Sequence, residues 1–191
     1  VTEPKQIATL PPNEEIRQEV PRSPRTGEPP RPVLVAIAAV ALYLAAAALA
    51  VVYGIRWWEA AHPETYPTSA RLLEWVQPEP GRWLSLALEG VFAGALVLAA
   101  GACGVVGFQA WNGWRWSRWA GLVALGFVGG FVAIVDDWAF VGLGLAAIGV
   151  TLLFLPPVTR YFQRWAAVRA EQPAPYRRPS QIHYGRLPRF R

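Results

Sequence analysis

The sequence predicts an all-α integral membrane protein with four transmembrane helices, both termini cytoplasmic, a Pro-rich amino-terminal arm and a basic carboxy-terminal arm. Three observations carry that prediction. Of 191 residues, 53% are hydrophobic and only 16% charged, and the apolar residues gather into blocks too long for a soluble core. The blocks are separated by polar breaks rich in tryptophan, which favours the headgroup layer. The sharpest break, 108–119, holds Trp111, Trp114, Trp116 and Trp119 with Arg115 and Arg118. Finally, positive charge is lopsided. Fifteen of the 18 Lys and Arg residues lie before the first block, in that central break or after the last block, leaving Arg56, Arg71 and Arg82 for the other side. Loop arginines stay cytoplasmic, so the central break reads as a cytoplasmic turn and the net charge of +5 reports membrane orientation. No nucleic-acid-binding motif accompanies that charge, and nucleic acid is not an expected partner.

The resulting organisation is a Pro-rich arm over 1–32, a transmembrane domain over 33–158 with an outer loop at about 56–82, and a basic tail over 159–191. The arm is polar and carries eight prolines; it cannot bury enough apolar surface to offset its ordering entropy, and it reads as a solvated tail or a docking arm with a weak helix near 13–20. The apolar run after it follows 32 mostly polar residues and is too long for a signal-peptide core, so no cleavable signal is expected here.

The first span, 33–53, supplies enough helix to cross about 30 Å of hydrocarbon. Its alanines, 45–48 most visibly, offer a thin surface to another helix. Arg56, Trp57 and Trp58 mark the outer interface. In the outer loop, Thr68 or Ser69 is placed to cap a short amphipathic helix presenting Leu72, Leu73, Trp75 and Val76, stopped by Pro78 and Pro80. His62 has no Cys, Asp or second His at ligand spacing and is weak evidence for a metal.

The second span, 84–108, opens at Trp83. Gly90 and Gly94 have the small-xxx-small spacing of close helix packing, which predicts a central place in the bundle. Glu89 is the one charged side chain inside any span. A carboxylate there needs a partner, a proton or water; pairing with Arg56 or Ser85, a proton or cation site, and a contact to a neighbouring subunit are the readings it leaves open.

The third span, 119–135, repeats the spacing at Gly126 and Gly130. Asp136, Asp137 and Trp138 follow, then the fourth span over 139–155. One continuous helix would place two aspartates at bilayer depth at about 2.5–3.5 kcal/mol each. A tight hairpin instead sets both acids at the outer interface, where either caps the fourth helix. A joint site of Glu89, Asp136 and Asp137 is the competing reading. Gly142, Gly144 and Ala147 match a loose dinucleotide pattern, but without a preceding strand or an accessible loop they are packing positions. After Pro156 and Pro157, Thr159 is placed to cap a surface helix carrying Arg160, Arg164 and Arg169. The tail beyond it, with Arg177, Arg178, Arg186, Arg189 and Arg191, suits anionic lipid or an acidic partner.

Chemistry is more easily excluded than assigned. A single cysteine, Cys103, removes a dithiol cycle and a cysteine-ligated cluster, and no histidine lies in a span to hold haem. No phosphate loop, metalloprotease helix or nucleophile elbow occurs. No catalytic residue, metal or cofactor is expected; bound lipid is.

The second half, from Trp114-Arg-Trp-Ser-Arg-Trp-Ala to Leu-Leu-Phe-Leu-Pro-Pro-Val-Thr-Arg-Tyr-Phe162, resembles the paired helices of small uncharacterised four-helix bacterial membrane proteins. In those a Trp-Ala-Arg-like opening precedes one helix and a Leu-x-x-Pro-x-Val-x-x-Tyr-Phe-like exit follows the next. The resemblance covers about a quarter of the chain and implies the hairpin without implying a catalytic residue. Arginine also supplies all basic residues but Lys5, a bias associated with GC-rich bacterial genomes, which with the spans places the chain in a bacterial inner membrane.

Two functional expectations follow. One is a non-catalytic accessory or assembly subunit of a respiratory, photosynthetic or transport complex, with lipids and other subunits as partners. The alternative is a small proton- or cation-linked transporter or channel using Glu89 with Asp136 and Asp137, against which stands the scarcity of polar residues deeper in the spans.

Overall fold

The computed structural model describes residues 22–23 and 27–170. The arm up to residue 21 and the basic tail with Arg177, Arg178, Arg186, Arg189 and Arg191 lie outside the described residues. The described chain is all helical: α1 (Val33–Ala60), α2 (Arg71–Val76), α3 (Trp83–Trp111), α4 (Ser117–Ile134), α5 (Phe140–Leu153) and α6 (Pro156–Ala170), with 3₁₀ turns at Tyr66–Thr68 and Asp137–Ala139. Three of these helices, α1, α3 and α4, are long and apolar enough to cross a membrane, and a fourth crossing is supplied if α5 and α6 form one span bent by 62°. Pro156 and Pro157 stand at that bend, where missing N–H groups stop α5 from continuing and suit the first turn of a new helix.

Helices α1, α3, α4 and α5 form a ring in which α1 packs on α3 and α5, and α4 packs on the same two. The alanines of α1 make this possible. Ala38, Ala39, Ala41 and Ala45 are all buried, so neighbouring backbones come close. A Cβ on Gly142 would stand 2.7 Å from Leu49 and 3.5 Å from the Ala45 carbonyl, and one on Gly149 would meet Leu42 at 2.8 Å and the Ala38 carbonyl at 3.1 Å. Leu42 and Leu49 are thus heptad-spaced knobs seated over heptad-spaced glycines of α5. Gly107 of α3 lies against α1, and Gly121 of α4 against Val150 of α5.

These are not the glycines singled out by spacing. A Cβ on Gly90, Gly94, Gly126 or Gly130 would meet nothing within 4 Å. The small faces of α3 and α4 therefore point away from the ring, and α3 is not its centre; α1 buries 39% of its apolar window against 28% for α3. Sequence spacing identifies a thin helix face but carries no sign for inside or outside.

The helix bundle has a turn end, holding 112–116, and a loop end, holding 61–82. At the loop end Trp57, Trp58, Trp83 and Trp138 are exposed, and at the turn end Trp111, Trp114, Trp116 and Trp119. Between the two ends exposed Val, Leu, Ile and Phe side chains dominate, including Val97, Leu98, Val123 and Phe127. Two aromatic girdles around an apolar band are the surface a bilayer-spanning bundle presents.

Candidate functional site

Helix α1 runs on to Ala60, two turns past the end suggested by hydropathy, so Arg56 stands on the helix and faces inward. Only 2% of its surface is exposed, and its guanidinium makes two hydrogen bonds to Glu89, one of 2.8 Å from Nη1 to Oε2 and the other from Nη2 to Oε1. The Arg56 Cζ also lies 3.9 Å from the centre of the Phe92 ring, one turn along α3 from Glu89. Planar guanidinium matches carboxylate bidentately and stacks on aromatics, which lysine at this position would not do. Ser85, the other candidate partner of Glu89, donates instead to the Arg82 carbonyl at 2.7 Å.

The outer loop closes over this pair. Tyr66, Ser69, Ala70 and Leu73 are buried, and the Tyr66 hydroxyl and the Arg56 Nε have no protein hydrogen-bond partner. Burial and then the negative charge of Glu89 raise the Tyr66 pKa, against the lowering effects of the Ser85 hydroxyl and Arg56. Helix α2 has no side-chain cap: its N-cap is Ala70, while Ser69 and Thr68 bond back to the Tyr66 and Thr65 carbonyls. Gln77 ends it in the left-handed region at φ 46°. Of the apolar side chains that this amphipathic helix was expected to present, Leu73 is fully buried in the bundle, Leu72 is half-buried, and Trp75 and Val76 are exposed.

A second arginine fastens α2 to the bundle. Arg71 donates its backbone N–H to the Val135 carbonyl at 2.8 Å, Nη1 to the Val132 carbonyl at 3.3 Å and Nη2 to Asp137 at 2.5 Å. It thereby satisfies carbonyls left unpaired at the end of α4. Asp136 caps the 3₁₀ turn that leads into α5, accepting the Asp137 N–H at 2.5 Å.

Each acid of the proposed cation or proton site is therefore committed separately: Glu89 to Arg56, Asp137 to Arg71, Asp136 to a backbone N–H. Among the described residues no group of three His, Cys, Asp or Glu side chains is placed to hold a metal ion. His62 bonds to the Trp58 carbonyl at 2.9 Å. Cys103 is fully buried, as a small packing residue would be.

No protein family, curated protein or solved structure matches the chain.

The turn end is tied by a second set of long-range contacts. Arg31, just before α1, stacks 3.9 Å over Trp111, and Tyr161 of α6 donates to the Trp111 carbonyl at 2.8 Å. Arg169 donates to the Gly113 carbonyl at 3.0 Å and the Asn112 carbonyl at 2.5 Å, satisfying acceptors after the end of α3. Arg118 donates to Thr159 at 3.3 Å, so that threonine holds α4 rather than capping a helix; α6 has already begun at Pro156. The roles of Phe92, Arg71 and Arg169 had no local signal in the sequence, since each depends on a partner from another segment.

Proposed function

We propose that this chain is a non-catalytic accessory or assembly subunit of a larger bacterial inner-membrane complex of respiratory, photosynthetic or transport type. In this reading it crosses the membrane four times, with both termini and the 112–116 turn in the cytoplasm. The carrying observation is that two thin helix faces are left unused by the chain's own packing. Gly90 and Gly94 on α3 and Gly126 and Gly130 on α4 are open, while Gly107, Gly121, Gly142 and Gly149 seat the neighbouring helices. In lipid, close van der Waals approach drives helix association, so an open small-residue face suits a second protein's helix. The transporter alternative draws less support, because Glu89 and Asp137 each carry an arginine partner.

The test is a contrast between glycines. Gly94→Leu and Gly126→Leu should leave the chain folded and inserted but reduce the size of the detergent-extracted particle. Gly142→Leu, which collides with Leu49, should impair folding itself. Unchanged particle size in both Gly94→Leu and Gly126→Leu would overturn the proposal.

A further inference from the structure

At the turn end, Phe108 and Gln109 of α3, Asn112, Trp114 and Trp116 of the turn, and Trp165 and Arg169 of α6 line a groove of about 610 Å³. Gly113, between the lining residues Asn112 and Trp114, sets the path of the turn beside Trp165. The glycine has φ +72°, and a Cβ there would lie 2.0 Å from the Trp165 ring, so the indole rests directly on the turn backbone. Arg169 follows one helical turn later, its Cζ 4.1 Å from the centre of the Trp114 ring and 4.8 Å from that of Trp165. Two indoles and two backbone carbonyls thus fix an exposed guanidinium in place.

Among the described residues no carboxylate pairs with it, and the groove lining contains none. A guanidinium has five N–H donors, and the turn carbonyls use two. The buried Trp165 indole N–H also lacks a partner. At the other edge the polarity reverses, since Phe108 is 58% exposed and Val105, three residues back along α3, is 51% exposed. Arg115, in the same turn, is exposed and adds a second positive charge.

We infer that this groove binds the headgroup of one anionic glycerophospholipid. The phosphate meets the free N–H groups of Arg169, and an acyl chain runs along the apolar surface of Phe108 and Val105. A fixed cation stacked on aromatics at a membrane interface, with an apolar strip leading into the bilayer band, matches the junction of headgroup and chain in such a lipid. The groove has the size of a small-molecule site, so it takes the headgroup and leaves the chains outside. This inference rests on the membrane reading of the helices and not on partner subunits.

Full-length protein in nanodiscs of phosphatidylcholine with a rising fraction of acyl-brominated phosphatidylglycerol tests it through tryptophan quenching. A quenching component should saturate at about tenfold lower fraction than bulk mixing gives, the effect of one hydrogen bond to a charged group. Arg169→Gln and Gln109→Glu, the second of which leaves the Arg169 clamp untouched while adding a carboxylate to the groove, should both abolish that component. Quenching that follows bulk composition in the wild type, or that persists in Gln109→Glu, would overturn the inference. So would selective quenching seen only after residues 1–21 are removed, which would identify the chain's own arm as the occupant.

Discussion

Removing the charge of Glu89 should destabilise the bundle more than any other isosteric change at the loop end. In Glu89→Gln the Arg56 guanidinium, 2% exposed and stacked on Phe92, would be left without an anion. Breaking a buried pair from one side costs about 3–5 kcal/mol. Glu89 keeps 30% exposure, so water solvates part of the pair and the loss should fall at or below that range's lower limit, about 2–3 kcal/mol. Arg56→Leu should cost less, about 1–2 kcal/mol, because the remaining carboxylate can lean toward the loop end. The double variant Arg56→Leu/Glu89→Leu should return to within about 1 kcal/mol of wild type, since an apolar pair has no charge to desolvate. Reversible unfolding in mixed micelles, run as a double-mutant cycle, measures the coupling. Single effects that add to the double within about 0.5 kcal/mol would refute the pairing argument. Intact stability in Glu89→Gln with lost solute flux in proteoliposomes would revive the transporter reading.

Three further outcomes follow from the same geometry. Gly113→Val, strained at φ +72° and colliding with Trp165, should cost about 2–3 kcal/mol and free α6, seen as faster tryptic cleavage at Arg164 and Arg169. Asp137→Asn should cost at most about 0.5 kcal/mol because that carboxylate is 79% exposed, whereas Arg71→Ala, which also loses the Val132 carbonyl bond, should cost about 1 kcal/mol by the same unfolding assay. The third outcome concerns alkaline pH. Tyr66 has a folded pKa raised above 10.0, so its neutral form is favoured in the folded state. Its contribution is fully present below that unfolded value and is lost as pH rises through the folded one. Wild type should therefore lose stability above about pH 10 more steeply than Tyr66→Phe, and parallel pH profiles would contradict this.

The helices were legible because outward-facing and core-facing residues are both apolar, and a long run of either kind marks a helix long and apolar enough to cross a membrane. That same property hid the inside from the outside. Gly90 and Gly142 look alike in a linear sequence, yet one faces open space and the other seats Leu49. Charge was more informative. Glu89 in a span demanded a partner, and Arg56 was one of the two candidates on the same side; the two came together as the cost of a lone buried charge requires. Arg71, Arg169 and Arg118 were harder to place. Apart from the Asp137 carboxylate that meets Arg71, their acceptors are carbonyls and a hydroxyl of distant segments, and backbone acceptors leave no trace in residue identity. The α1 boundary was extended for a related reason: pairing removed the penalty that makes an arginine look like the end of a span.

The most direct test of the subunit reading is to tag the chain in its native host, extract it in mild detergent, and identify by mass spectrometry what co-migrates on a native gel. The account predicts stoichiometric co-migration with the subunits of one membrane complex, lost on Gly94→Leu or Gly126→Leu. Migration of the wild-type chain alone, as a monomer or small homo-oligomer, would contradict it.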